Sequence, residues 1–232
     1  MTTPPGHSDR RGGLLLVGAH IADMEFTAGH LARLHALAGE PVTILHLTAG
    51  EGGHPGMEPA AYRVQKLEEA RQAAEVLGIS CRVLDTPDGS LVPSPEVVDV
   101  VAGILTELAP STVVTHWRGS FHPDHANTYF TVEAALARVA RDGVTPQLWF
   151  PDNWEDADGY RPDIFVDITP VYDDWLEAAR CHQLFRGGVV PFDYQSYYVG
   201  LSAMRGRLAG VERAAGFMSP PPIFAKPLSR LG

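Results

Sequence analysis

Four short, β-branched apolar runs, each followed by a segment with helical spacing, occupy the first two-thirds of this chain and leave few folds open to it. The runs are "GLLLVGAH", "PVTILHLTAG", "SCRVLDTPDG" and "STVVTHW". The segments after them include "TAGHLARLHALAGE", "AAYRVQKLEEARQAAEVLGI", "PEVVDVVAGILTELAP" and "DHANTYFTVEAALARVARDG". Continuous apolar runs of this length fit strands buried on both faces. Strands alternating with helices imply a parallel sheet with right-handed crossovers. The expectation is an α/β fold: a Rossmann-like parallel sheet flanked by helices.

Past Gly143 the texture changes. "PQLWFPDNWEDADGYRPDIFVDIT" reads as one or two strands around a polar loop, and "PVYDDWLEAARCHQLF" as a helix. "RGGVVPFDYQSYYVG" reads as a surface loop and "LSAMRGRLAGVERAAGFM" as a last helix. This is a short mixed β/α C-terminal extension. With no clean linker and no internal repeat, residues 13–218 form one expected domain, between a mobile tail (1–12) and a proline-rich tail (219–232).

The net charge of −10 argues against a nucleic-acid binder, which needs a basic face. No apolar run approaches the roughly 20 residues of a membrane span, and the N-terminus lacks a signal peptide's apolar region. Cys81 and Cys181 make no metal-finger spacing and read as reduced, half-buried thiols of a cytoplasmic protein. The partner this leaves is a small-molecule substrate.

Doubly wound sheets bind ligands outside the carboxyl ends of their strands. His20 stands at the end of the first strand, with Asp23 three residues later. The fourth strand is followed by "RGSFHPDHAN", with His122, Asp124 and His125. Adjacent strands would bring both clusters to one rim. Two histidines and a carboxylate around an open position make a divalent-metal site of catalytic type.

With these residues the chain resembles the LmbE-like, PIG-L-type metal-dependent de-N-acetylases. Their first motif, A-H-P-D-D followed by E or x-E, stands here as "AHIADMEFTAGHLA", and their second, H-P-D-H, is intact at His122–His125. The x-E spacing at Met24-Glu25 is closest to deacetylases of the bacillithiol-precursor type. "LTAGEGG", "DTPDGSL", "RPDIFVDIT" and "RLAGVERAAGF" extend the likeness. The resemblance implies His20, Asp23 and His125 as ligands of Zn2+ or another divalent metal. It implies His122 as the group that stabilises the oxyanion or protonates the leaving amine, oriented by Asp124. It places Asp88 and Lys66 beside the substrate, an N-acylated amino sugar or sugar-bearing molecule, and suggests a homo-oligomer, trimer or hexamer. The implied reaction is amide hydrolysis.

One position departs from the pattern. The family's general base, the first aspartate of the motif, is Ala22 here, after Ile21 in place of proline. General-base catalysis contributes about 10²–10⁴-fold. Either another group serves, with Asp124, Glu25, Glu51 or His122 as candidates, or the site performs a different metal-assisted reaction, or it binds without turnover.

The remaining candidates weigh differently. Glu25 supports a ligand or caps the following helix. His30, His35 and His46 read as structural. His54, in the glycine-rich "GEGGHPG", is a candidate substrate contact. That loop lacks the phosphate-binding signatures. His116 lines the pocket or packs in the core. Asp152, Trp154 and Glu155 read as an acidic solvated loop before a substrate rim. Tyr194, Tyr197 and Tyr198 would stack on a sugar or pack a subunit interface.

Overall fold

The computed structural model describes residues 12–221. The expected strand–helix alternation is present: β1 (Leu14–Gly18), α1 (Asp23–Leu37), β2 (Val42–Thr48), α2 (Pro59–Leu77), β3 (Ser80–Thr86), α3 (Pro95–Leu108), β4 (Thr112–Thr115) and α4 (Pro123–Val139). Then come β5 (Gln147–Pro151), β6 (Ile164–Asp167), α5 (Tyr172–Arg180), α6 (Gln183–Arg186), α7 (Tyr194–Ala209) and β7 (Ala214–Met218).

The strands form one seven-stranded sheet in the order β3-β2-β1-β4-β5-β7-β6. β1 to β5 run parallel, and β7 lies antiparallel between β5 and β6. Every residue of β1 is buried, because helices cover both faces. Leu15 and Val17 pack with Val101 and Leu105 of α3 and Val132 and Ala135 of α4. Leu14 and Leu16 face the other way, onto Met24, Ala28 and Ala32 of α1. β1 pairs with β2 on one side and β4 on the other. The chain therefore reverses its winding at the β1–β4 border, where a doubly wound sheet opens a crevice.

The C-terminal extension differs from expectation in two places. The stretch read as a surface loop is helical from Tyr194, because the Asp193 side chain accepts the backbone N–H of Ser196 and caps α7. That helix ends at Gly210, whose φ is 76°. "AAGFM", read as helix, is strand β7, buried along its whole length between two partners. Pairing and burial override its alanine-rich local preference. The helix expected from Val171 also breaks at His182, which is extended at φ −83°, ψ 126°. Residues 1–11 and 222–232, most of both expected tails, lie outside the described residues.

Candidate metal centre

The β1–α1 turn sets the first half of the site. The backbone N–H of His20 donates to Asp23 Oδ2 at 2.7 Å, folding the carboxylate back over the strand end. Two buried cations clamp the turn's carbonyls. Lys66 Nζ donates to the Ile21 oxygen at 2.7 Å, and His46 Nδ1 lies 3.1 Å from that of His20. His46 Nε2 in turn faces Glu25 at 3.2 Å. Burial alone would lower the His46 pKa; the Glu25 charge reverses this and lifts it to about 10. His46, read from sequence as merely structural, thus holds the turn that presents His20. Glu25 plays both roles considered for it, since its other oxygen accepts the Ala22 N–H at 3.1 Å. Gly50 faces the same turn: a Cβ there would lie 3.0 Å from the His20 side chain.

Ala22 sits in this turn at φ 95°, ψ −27°, a left-handed conformation that favours Gly, Asn or Asp over alanine. Its methyl group is buried among Phe26, Phe185 and Tyr198.

The second half comes from β4 and the start of α4. His122 is the N-cap of α4, Pro123 opens the helix, and His125 lies in its first turn, 1% exposed. The two strand ends meet as expected. The rings of His20 and His125 are 5.4 Å apart, and those of His122 and His125 stack at 4.6 Å. Asp23 Oδ2 lies 3.3 Å from His20 Nδ1 and 3.5 Å from His125 Nε2. A tetrahedral zinc shell at about 2.0–2.1 Å has ligand–ligand edges of roughly 3.3–3.4 Å, which is close to the spacing of these two pairs.

His116 was left between pocket and core, and the structure brings it beside Asp23, at 3.1 Å. Three groups of mutually close donors occur among the described residues, His20–His122–His125, Asp23–His116–His125 and His20–Asp88–Asp124, and His20, Asp23 and His125 are shared out among them. Both His116 nitrogens, however, already have protein partners: Nε2 accepts the Ala19 N–H at 3.1 Å and Nδ1 meets Asp156 at 2.9 Å. His20, His122 and His125 line the cleft with Asp23, and His116 does not.

Asp156 was missed by sequence reasoning. It follows β5, the next strand along the same rim, within the segment read as a solvated acidic loop. It is instead completely buried. Oδ2 meets His116 Nδ1, and Oδ1 meets His125 Nδ1 at 3.1 Å. A carboxylate on one ring nitrogen fixes the tautomer and turns the other nitrogen to the metal. Burial, followed by His116, pushes His125 down to about 4, which keeps it in the neutral form that ligates metal. The adjacent Asp152 is no free rim group either, since it pairs with Arg205 Nε at 2.7 Å.

Asp124 is expected to orient His122, and among the described residues no hydrogen bond joins the two. Its Oδ2 lies 3.3 Å from His20 Nε2 and accepts the Gly89 N–H at 2.9 Å. Residues two apart at a helix start do not face each other. His122 Nδ1 is buried without a hydrogen-bond partner among the described residues. Burial, then the neighbouring His20 charge, lower its pKa.

The open cleft above these groups measures about 620 Å³, solvent included. Asp88 and Lys66 line it as expected, with Glu155, Leu184, Val190 and Tyr194. Asp88 Oδ1 is 3.1 Å from His20 Nε2, and its Oδ2 accepts the Gly52 N–H at 2.8 Å. His54 does not line it: its Nδ1 accepts the Gly56 N–H and its ring packs edge-on against Tyr62. Of the three tyrosines only Tyr194 reaches the cleft, while Tyr198 is buried and its hydroxyl donates to Asn153. Burial, then Asp23 and Asp156, push Glu155 up to about 7. Cys81 and Cys181 are free and half-buried, as expected. No helix among the described residues is long and apolar enough to cross a membrane.

Comparison with known proteins places this site in context. The family model of the GlcNAc-PI de-N-acetylases (PIG-L) matches residues 15–136. The chain is 28% identical over 184 residues to a 4-oxalmesaconate hydratase of Pseudomonas putida, covering 72% of this chain and 71% of that one. It is 31% identical over 183 residues to a probable N-acetyl-alpha-D-glucosaminyl L-malate deacetylase of Bacillus cereus, covering 73% and 82%. Among solved structures, the P. putida 4-carboxy-2-hydroxymuconate hydratase GalB superposes with a TM-score of 0.81 at 24% identity, over 94% of this chain and all of that one.

Proposed function

Because this chain belongs to the GlcNAc-PI de-N-acetylase (PIG-L) family of enzymes, we propose that it is a metal-dependent hydrolase, that its metal is zinc held by His20, Asp23 and His125, and that it removes an N-acyl group from an amino sugar or sugar-bearing small molecule. A divalent metal at those donors supplies Lewis acidity toward a carbonyl and makes water acidic near neutral pH. The chain's own groups do the rest. His122, on the cleft wall with an unpartnered nitrogen, donates to the carbonyl oxygen as it gains charge. Asp88 and the Lys66 ammonium face the hydroxyl groups of the substrate.

The lining of the cleft carries this reading. Asp88 and Lys66 stand in the same cleft as His20, Asp23, His122 and His125. A divalent metal on Asp23 would offset the carboxylates, and the hydrogen-bonding groups of the wall suit a polyol. The test is acetate release by the zinc-loaded protein from N-acetylglucosamine, its malate glycoside and N,N'-diacetylchitobiose. Release from at least one, abolished by His125→Ala, is expected. No release from any overturns the reading.

A second reading has its own support. Ala22 removes the family's usual base, and a hydratase is among the relatives that match most of the chain. In that case water adds to a carbon–carbon double bond. Loss of the ultraviolet absorbance of 4-oxalmesaconate on addition of the protein, with no acetate released from the sugars, would select it.

A further inference from the structure

We infer that Glu155, at the end of the β5 loop, is the group that takes and returns the proton which residue 22 handles elsewhere in the family; this rests on the hydrolytic reading above. Three observations place it. First, residue 22 itself offers no proton acceptor, and the nearby Glu25 carboxylate is buried, held by the Ala22 N–H and beside His46. Second, Glu155 lines the cleft with His20, Asp23, His122 and His125. Its Oε2 lies 3.8 Å from His125 Nδ1, and its side chain is 15% exposed. Third, it is a cleft carboxylate without a hydrogen bond. Asp23 is occupied by the His20 N–H and the imidazoles around it, and Asp88 by the Gly52 N–H and His20. The Glu155 carboxylate accepts no hydrogen bond from any described residue.

The backbone that carries it is nonetheless fixed. The Glu155 N–H donates to Asn153 Oδ1 at 3.2 Å, and its carbonyl accepts the Phe121 N–H at 3.1 Å. Asn153 is itself held by the Tyr198 hydroxyl at 3.1 Å. The buried Asp156 anchors the next position on two imidazoles. A free carboxylate on a pinned backbone, in the same cleft as the proposed metal ligands, is what proton transfer requires.

The step balances. As water oxygen bonds to the acyl carbon, one water proton passes to Glu155. As the carbon–nitrogen bond breaks, Glu155 returns that proton to the departing nitrogen. The departing amine takes the second water proton from the nascent acid, so the products are the carboxylate, carrying the water oxygen, and the ammonium. His122 is then needed only as a hydrogen-bond donor to the oxyanion.

The experiment compares wild type, Glu155→Gln and Glu155→Ala, each loaded with one equivalent of zinc. On a sugar the wild type hydrolyses, both variants should lose about 10²–10⁴-fold in kcat with KM changed less than about threefold. Added formate should restore part of the activity of Glu155→Ala and none of that of Glu155→Gln. A second arm needs no turnover. Acetohydroxamate binds metal as its anion, and calorimetry in buffers of different ionisation enthalpy counts the protons released. The glutamine variant should release about one more proton per site than wild type. Equal counts, or a kcat within threefold of wild type, overturn the assignment. If the wild type hydrolyses no sugar amide but the proton counts differ, the amide reading fails and Glu155 keeps its role.

Discussion

Replacing Asp156 separates its two consequences. Its carboxylate is completely buried and accepts from His116 at 2.9 Å and from His125 at 3.1 Å. Asp156→Ala leaves two buried imidazole nitrogens without partners. At about 1–3 kcal/mol for each unmet group, the loss of stability is about 2–6 kcal/mol. Asp156→Asn keeps the shape and one acceptor, but turns an N–H₂ toward one ring. If that ring is His125, its Nδ1 must accept, its proton moves to Nε2, and the nitrogen beside Asp23 can no longer ligate metal. The asparagine variant should therefore lose about 1–3 kcal/mol in stability and 10–100-fold in zinc affinity. Urea unfolding of the metal-free proteins gives the first quantity, and zinc competition against a chromophoric chelator gives the second. Wild-type zinc affinity in both variants would refute the claim that Asp156 aims His125.

Further expectations concern the site's turn and the packing behind it. Ala22→Gly relieves a left-handed alanine at φ 95° at the cost of one buried methyl, so its stability should stay within about 0.5 kcal/mol of wild type, whereas Ala32→Gly inside α1 should cost about 1 kcal/mol or more; equal losses would show that the turn is unstrained. Burial pushes His30 down to about 3, against about 6.5 unfolded, so below pH 6.5 the unfolded chain binds a proton that the folded one refuses and stability falls. His30→Leu should gain about 2 kcal/mol relative to wild type between pH 6.5 and 5, and a pH-independent difference in urea midpoints would contradict this. Arg205→Met strands the mostly buried Asp152 and should destabilise by about 3 kcal/mol, largely recovered in the double variant with Asp152→Asn; no recovery would mean that Arg205 acts through its packing on Phe165.

Much of the fold was legible because its strands are short apolar runs at regular intervals, each followed by a helical segment, although the order of the strands was not. The two halves of the site were legible for the same reason: His20 follows β1, and His122–His125 open the helix that follows β4. The third contribution was not. Asp156 lies in a stretch of polar residues, and nothing local distinguishes a buried bridging carboxylate from its solvated neighbours. Only the β4–β5 pairing brings it under His116 and His125. Asp124 misled because it sits beside His122 in sequence, while the helix turns it toward His20. β7 was read as helix because small residues favour helices in isolation, and a sandwiched strand is decided by its partners.

The most direct measurement is anomalous diffraction from crystals grown with one equivalent of zinc. One peak per chain is predicted, bonded to His20, Asp23 and His125 at about 2.0–2.2 Å, with His116 still on Ala19 and Asp156. A peak that leaves His20 or His125 unligated, or zinc bound through His116, would contradict the proposed centre.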